Sequence, residues 1–489
     1  MKLYHSSRGE SIRATADEAI LRGIAPDGGL YVPERLETLD LHALLGLEAY
    51  DLFARVLSSV LRDCAFEDMR VIVEAGYRGR FETGDVTPLV KAGDVHMLEL
   101  FRGPTAAFKD IALSLLPRLI TRAARRLGVR DEIRILTATS GDTGKAALAG
   151  FADVPGTSIA VFYPHGGVSE VQRRQMTIQP GENVRVCAVR GNFDDAQSAV
   201  KRMFADADLN ARLNARGVRL SSANSINLGR LAPQVAYYFK AYFDLVRAGE
   251  IAIGDKVNFA VPTGNFGNIL AGAYARQMGL PVGRLICASN ENHVLTDFIR
   301  TGVYDSRRNF RVTASPSMDI LISSNLERCL HLFSGDCGLV NDMMRSLAEN
   351  GVYEAPDDLM KNMREWFCAS WANDAAAADA IRRLHAETGY LMDTHTAVGY
   401  CAAETYRAQT GDTRPLVLLA TASPFKFADD VLRALGIAPP DGLAALDRLS
   451  DATSVPVPQS LAELSHLPEI HKDVAELSEL SRFVEEENL

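Results

Sequence analysis

The chain has 489 residues, 47% of them apolar and 23% charged, an ordinary mix for a globular protein with room for two to four domains of ~100–200 residues. Its 52 basic and 62 acidic side chains leave a net charge of −10. That argues against nucleic acid or an anionic membrane as the main partner, but leaves room for a small anionic substrate held by a local cluster of donors. Seven scattered cysteines with no CxxC pair argue against a disulfide framework and against a zinc site, so no metal is expected. The opening MKLYHSSRGESIR has no apolar h-region, and no apolar run reaches the ~18 residues of a membrane span. A cytoplasmic protein with reduced thiols is expected.

Residues 1 to about 90 read as a mostly helical front module. Ala25 to Pro33 is a turn with a short extended piece, and 41–61 and 68–76 have helical apolar spacing. Val95–Leu100 reads as a strand leading into Phe101–Asp110, FRGPTAAFKD. There Lys109 sits where a loop enters a buried helix, 111–116. On that stretch alone a solvated lysine on a first helical turn is the simpler reading. A lysine in partly apolar surroundings, however, loses its proton more easily and can form a Schiff base.

Strands and helices then alternate. Helix 117–127 carries Arg118, Arg122, Arg125 and Arg126, expected mostly on its wet face. Strand 133–138 runs into Thr139-Ser140-Gly141-Asp142-Thr143-Gly144 and helix 145–151, where Lys145 reads as a solvated residue. Strand 158–163, helix 169–175, strand 184–189 and helix 196–207 follow. After helix 231–246, strand 257–262 enters Gly264-Asn265-Phe266-Gly267-Asn268 and helix 269–278, and strand 285–289 comes next. Residues 317–390 break the rhythm and read as helical. Strand 415–421 restores it, and the chain closes in a proline-punctuated region and an amphipathic acidic helix over 472–487. The repeated strand–loop–helix pattern predicts an α/β fold with a largely parallel sheet.

Ligands in such sheets bind at the carboxyl ends of strands. GNFGN opens a helix there, with two glycines for close backbone approach and a positive dipole end, which makes an anion cradle; a plain strand-to-helix turn is the competing reading. TSGDTG offers hydroxyls and a carboxylate at another helix start, where Asp142 is either an N-cap or part of a polar clamp over a ligand ring. The loop 221–230, with Ser222, Asn224, Asn227 and Arg230, suits an oxyanion-bearing substrate or simply caps the following helix. A lysine, a phosphate cradle and a polar loop on one α/β unit point to pyridoxal phosphate, which needs a Schiff-base lysine, a phosphate site and a partner for its ring nitrogen.

These segments resemble the threonine synthase family, pyridoxal-phosphate enzymes of the tryptophan-synthase-β-like fold. The resemblance rests on APDGGLYVP, GPTAAFKD, TSGDTG, SEVQRRQM, SANSIN, PTGNFGN and MDILISSNLER in the family's order. It implies a fold-type II enzyme with two open parallel-sheet lobes and an N-terminal module. The boundaries would be 1–92 for that module, 93–435 for the catalytic domain with an insertion at about 317–390, and 436–489 for a helical extension. Lys109 would carry the Schiff base. Gly264, Asn265, Phe266, Gly267 and Asn268 would hold the cofactor phosphate, Asp142 would lie near the ring's 3′-oxygen, and Thr421 would face the pyridine nitrogen. Thr139, Ser140, Thr143, Ser222, Asn224, Asn227 and Arg230 would bind substrate, with no metal. The implied reaction is carbon–oxygen lysis of O-phospho-L-homoserine to L-threonine and phosphate, by a monomer or homodimer. A lyase giving 2-oxobutanoate and an inactive cofactor-binding paralogue are the alternatives. One departure stands out: Ser423 and Phe425 occupy positions where the family has a histidine and a small residue, which puts substrate fit or rate in doubt.

Overall fold

The computed structural model describes residues 2–139 and 141–486. Sixteen strands are seen among them, in chain order β1 (Tyr4–Ser6), β2 (Gly9–Ala14), β3 (Tyr31–Pro33), β4 (Leu89–Ala92), β5 (Val95–Glu99), β6 (Glu132–Ala138), β7 (Thr157–Pro164), β8 (Val184–Arg190), β9 (Val218–Ser221), β10 (Val257–Pro262), β11 (Val282–Ser289), β12 (Val303–Asp305), β13 (Val352–Glu354), β14 (Phe367–Trp371), β15 (Leu416–Ala420) and β16 (Asp473–Glu476). Two of the sheets make the expected lobes. The larger runs β14-β11-β10-β15-β5-β4, parallel except for β4, and the smaller runs β16-β8-β7-β6-β9, parallel throughout. Their central strands are buried along their length, as expected for strands covered by helices on both faces.

The 20-residue helix Leu228–Arg247 is buried nearly all round, with Tyr237, Tyr238, Phe239, Tyr242 and Phe243 in the core. A helix apolar on every side belongs inside, and this one packs on the helices Ala49–Val60 and Gly267–Gln277, joining the front module to the larger sheet.

The front module is mostly helical in its regular structure, as expected, and β1, β2 and β3 add a small antiparallel sheet beside its helices, too short to leave a clear alternation in sequence. Three expectations need correction. Segment 317–390 is not all helix, because β14 completes the edge of the larger sheet beside β11 and β13 pairs with β12. The helix expected over 472–487 begins as a strand instead. Residues 473–476 lie parallel to β8, whose open edge offers unpaired backbone groups, and a short helix Leu480–Glu485 follows; Glu487 lies outside the described residues. Finally, Arg122 is not on the wet face of its helix Leu116–Arg126. It is buried and ion-paired with Asp17 at 2.5 Å and Asp68 at 2.8 Å, which fastens the front module to the smaller lobe.

Candidate active site

Four loops converge from the carboxyl ends of strands. Three leave β5, β15 and β10, which are neighbours in the larger sheet, and the fourth leaves β6 of the smaller one. The loop after β5 is set by its own residues. A Cβ on Gly103 would come within 2.6 Å of Asp110, so only glycine lets Asp110 fold back to accept from Thr105 N (2.8 Å) and Thr105 Oγ1 (2.6 Å). The loop is also stitched to the one after β15. Phe108 N donates to Thr421 O (2.8 Å) and Ser423 N to Ala106 O (3.0 Å), flanking a bridge between Ala107 and Ala422.

Lys109 opens the helix Lys109–Leu113 and is buried, with its Nζ 3.1 Å from Ser317 Oγ and 3.5 Å from Asp142 Oδ2. Burial pushes its pKa down, Asp142 opposes that, and the Lys426 ammonium adds to the fall. Asp142 stands between the two lysines, with Lys426 Nζ at 2.7 Å from Oδ1 and Gln172 Nε2 donating to the same oxygen at 3.2 Å. Burial acts to raise the Asp142 carboxyl, but the Lys426 and Lys109 charges outweigh it and hold the group ionised, well below the usual range. Lys426, in turn, donates to Thr105 O at 2.9 Å. Thr421 lines the same small cavity as Lys109, Asp142, Ser317 and His395.

In the loop after β10, a Cβ on Gly264 would lie 2.6 Å from Ser317 O, and Phe266 adopts a left-handed conformation (φ 60°) to start the helix Gly267–Gln277. Ser323 Oγ donates to Gly264 O (2.8 Å) and Asn325 N to Asn265 O (3.0 Å). Asn268 accepts through its Oδ1 from Tyr237 OH (2.5 Å), while its buried Nδ2 has no partner.

Other expected positions are placed as follows. Arg230 is buried and donates to Ala223 O (2.7 Å), with its Nε unpartnered and its pKa pushed down to about 10 by burial. Asn227 uses both ends of its amide structurally, accepting from Gly229 N (2.9 Å) and donating to Ile20 O (2.9 Å). Ser222 is half-buried and accepts from Asn224 N (3.3 Å), and Asn224 is exposed. Thr139 Oγ1 accepts from Gly141 N (3.0 Å) and Gly144 N (2.9 Å), shaping its own loop, and Thr143 is half-buried. Ser140 lies outside the described residues. Lys145 corrects its solvated reading: it is buried, donates to Gln179 Oε1 (2.5 Å), and has its pKa pushed down to about 7 by burial.

Sequence reasoning missed three site residues. Lys426 follows Phe425 directly, but nothing local marks it as the partner of Asp142. Ser317 and His395 carry no motif: Ser317 N donates to His395 Nε2 (3.1 Å), and His395 Nδ1 is held by Asp393 Oδ1 at 2.9 Å.

Three family patterns match this chain: "Pyridoxal-phosphate dependent enzyme" over residues 83–422, "Threonine synthase N terminus" over 3–77 and "Threonine synthase, C-terminal" over 396–484. The chain is 40% identical to the threonine synthase of Pseudomonas aeruginosa, covering 94% of this chain and 97% of that one. The crystal structure of the PLP-bound threonine synthase from Brucella melitensis matches with a TM-score of 0.88 at 36% identity, over 99% of each chain. The chain belongs to the threonine synthase family. It is also 39% identical to human threonine synthase-like 1 over 86% of its own length, which is 58% of that longer protein. The fold is that of a pyridoxal-phosphate threonine synthase, and pyridoxal phosphate is the cofactor.

The donors fit that cofactor. The unpartnered Asn268 Nδ2, the free N–H groups at a helix start and a glycine with no room for a Cβ suit a phosphate ester, and a buried lysine of lowered pKa suits an aldehyde. As for the departure from the family, Ser423 and Phe425 are buried and are not among the residues lining the Lys109 cavity. They line a separate cavity of about 270 Å³ with Glu99, Tyr390, Val455 and Pro456.

Proposed function

We propose that this threonine synthase family member converts O-phospho-L-homoserine and water into L-threonine and phosphate. The observation that carries the proposal is the Lys109 amine, buried with lowered basicity and held at 3.1 Å from Ser317 Oγ and 3.5 Å from the Asp142 carboxylate. When bound, pyridoxal phosphate supplies an aldehyde for that amine and an electron sink for a carbanion. The five residues Gly264 to Asn268 hold its phosphate, and the Thr421 hydroxyl serves the ring nitrogen.

Lys109 Nζ takes the α-proton of the substrate and carries protons through the later steps. Ser317 keeps the amine in place, and the backbone of Ser317 is itself held by His395 and Asp393. Asp142 stays ionised between Lys426 and Lys109, so it keeps the cluster near neutrality as protons move. Arg230 binds the substrate phosphate and offsets negative charge as phosphate leaves the γ-carbon. Thr143, Ser222 and Asn224 would contact the substrate, with Thr139 and Asn227 shaping the loops that carry them, and water adds at the β-carbon. No helix among the described residues is long and apolar enough to cross a membrane; a cytoplasmic location and a monomeric or homodimeric state belong to the same proposal.

The deciding measurement is incubation of the holoenzyme with O-phospho-L-homoserine, followed by phosphate assay and mass analysis. L-threonine with equimolar phosphate is expected, and Lys109→Ala should lower the rate by about 10²–10⁴-fold. Dominant 2-oxobutanoate overturns the synthase reading in favour of a lyase. No phosphate release from a fully loaded enzyme overturns it in favour of a binding protein.

A further inference from the structure

Away from the cofactor loops, β1 lies against the corner between the helices Leu326–Ser334 and Cys337–Asn350. Three side chains meet there: His5 from β1, His331 from the first helix and Cys337 from the first turn of the second. One ligand-capable atom from each falls within 4.8 Å of the other two. Cys337 Sγ is 3.8 Å from His5 Nδ1, and the two imidazoles approach edge-on at 5.0 Å between centroids. Bond lengths of about 2.0–2.1 Å to nitrogen and 2.3 Å to sulfur at a tetrahedral angle put N and S about 3.6 Å apart. The cluster is therefore within a few tenths of an ångström of that edge.

The placement is firm. Gly335, left-handed at φ 62°, ends the first helix, and Asp336 caps the second by accepting from Leu339 N at 3.0 Å, so the chain doubles back and returns Cys337 to His331. Glu327, one turn before His331 on the same helix, is bound by Ser7 Oγ (2.5 Å) and Arg8 (2.8 Å), which docks β1 and with it His5. His5 and Cys337 are buried while His331 is half-buried, so the corner has one side open for an ion to enter and for a fourth ligand from water.

We propose that His5, His331 and Cys337 form a binding site for a soft divalent cation such as Zn²⁺, which clamps the front module to the 326–350 helical corner. A His₂Cys donor set with an open fourth position is a zinc-type arrangement. The Cys337 S–H bond breaks as the S–metal bond forms, and the proton goes to solvent; the His5 Nδ1 proton, held by Ser6 O before binding, moves to Nε2 by tautomer exchange and frees Nδ1 for the metal. The Ser6 carbonyl, 3.5 Å from Sγ and 2.9 Å from His5 Nδ1, accepts hydrogen bonds from both groups before binding. The absence of a CxxC pair excludes only paired-cysteine zinc sites; here His331 and Cys337 stand close in sequence and His5 comes from the other end of the chain.

The test is calorimetric titration of Zn²⁺ into chelator-treated, desalted holoenzyme, with Co²⁺ as a spectroscopic probe. One tight equivalent is expected, together with a thiolate-to-cobalt absorption band and a rise in melting temperature on stoichiometric Zn²⁺. Cys337→Ser should abolish the band, and His331→Ala should weaken Zn²⁺ binding at least 100-fold. His331→Asn, a half-buried change that leaves the corner packed, serves as a second variant if either of these fails to fold. A wild-type protein with no tight equivalent overturns the proposal, and so does uptake that is unchanged in the variants.

Discussion

Lys109 and Lys426 share one carboxylate, Asp142, and that triad sets the electrostatics of the site. Removing Lys426 takes a like charge away from Lys109 and a partner away from Asp142. Lys426→Met is therefore expected to move the half-point for pyridoxal phosphate capture by the apoprotein to higher pH, because Lys109 keeps its proton longer. It should also cost about 1–3 kcal/mol in urea unfolding. An unmoved half-point would show that Lys426 does not act on Lys109. Lys145 gives a second prediction at this scale. Its folded pKa, near 7, lies below the unfolded value of about 10.4. Between these values the unfolded chain binds the extra proton, so Lys145 makes stability rise with pH from about 7 to about 10. Replacing it by methionine should remove that rise, leaving a difference between the two stability–pH curves of up to about 1.4 kcal/mol per pH unit. Parallel curves would mean that Lys145 stays protonated in the fold.

Elements distant in sequence complete each other's edges. The strand β16 closes the smaller sheet beside β8, and the helix after it buries Leu480, Phe483 and Val484 against the sheet's outer face. Phe483 packs on Phe162 at 5.7 Å and under the Arg185 guanidinium at 3.6 Å, and Arg134 donates to Val484 O at 2.6 Å. Phe483→Ala is expected to lower stability by about 3–5 kcal/mol, read as a drop in denaturant midpoint. A change below 1 kcal/mol would mean that the C-terminal segment does not cover the sheet.

Across the whole molecule, one buried arginine joins regions that the sequence separates widely. Arg328 donates to Tyr31 O (3.0 Å), Ile226 O (2.6 Å) and Asn325 Oδ1 (2.6 Å), linking the front module, the 222–227 loop and the residues that brace Asn265. Lysine keeps the charge but not the planar fork. Arg328→Lys is thus expected to cost about 3 kcal/mol or more and to weaken cofactor binding at the same time, as judged by denaturation and by titration of the apoprotein with pyridoxal phosphate. Loss of stability with unchanged cofactor affinity would restrict Arg328 to the front module.

The alternation of strands and helices, the lysine loop and the glycine turn after β10 are legible locally in the sequence, because they depend on patterning, turn chemistry and helix starts that neighbouring residues encode. The order of its motifs also marked the family. Tertiary structure alone decided that 473–476 pairs as a strand, that Arg122 and Lys145 are buried, and that Lys426, Ser317 and His395 surround Lys109. Each of those outcomes depends on contacts between residues far apart in the chain. A buried charge or a sheet edge is satisfied by whatever the fold brings to it, and no local pattern records that partner.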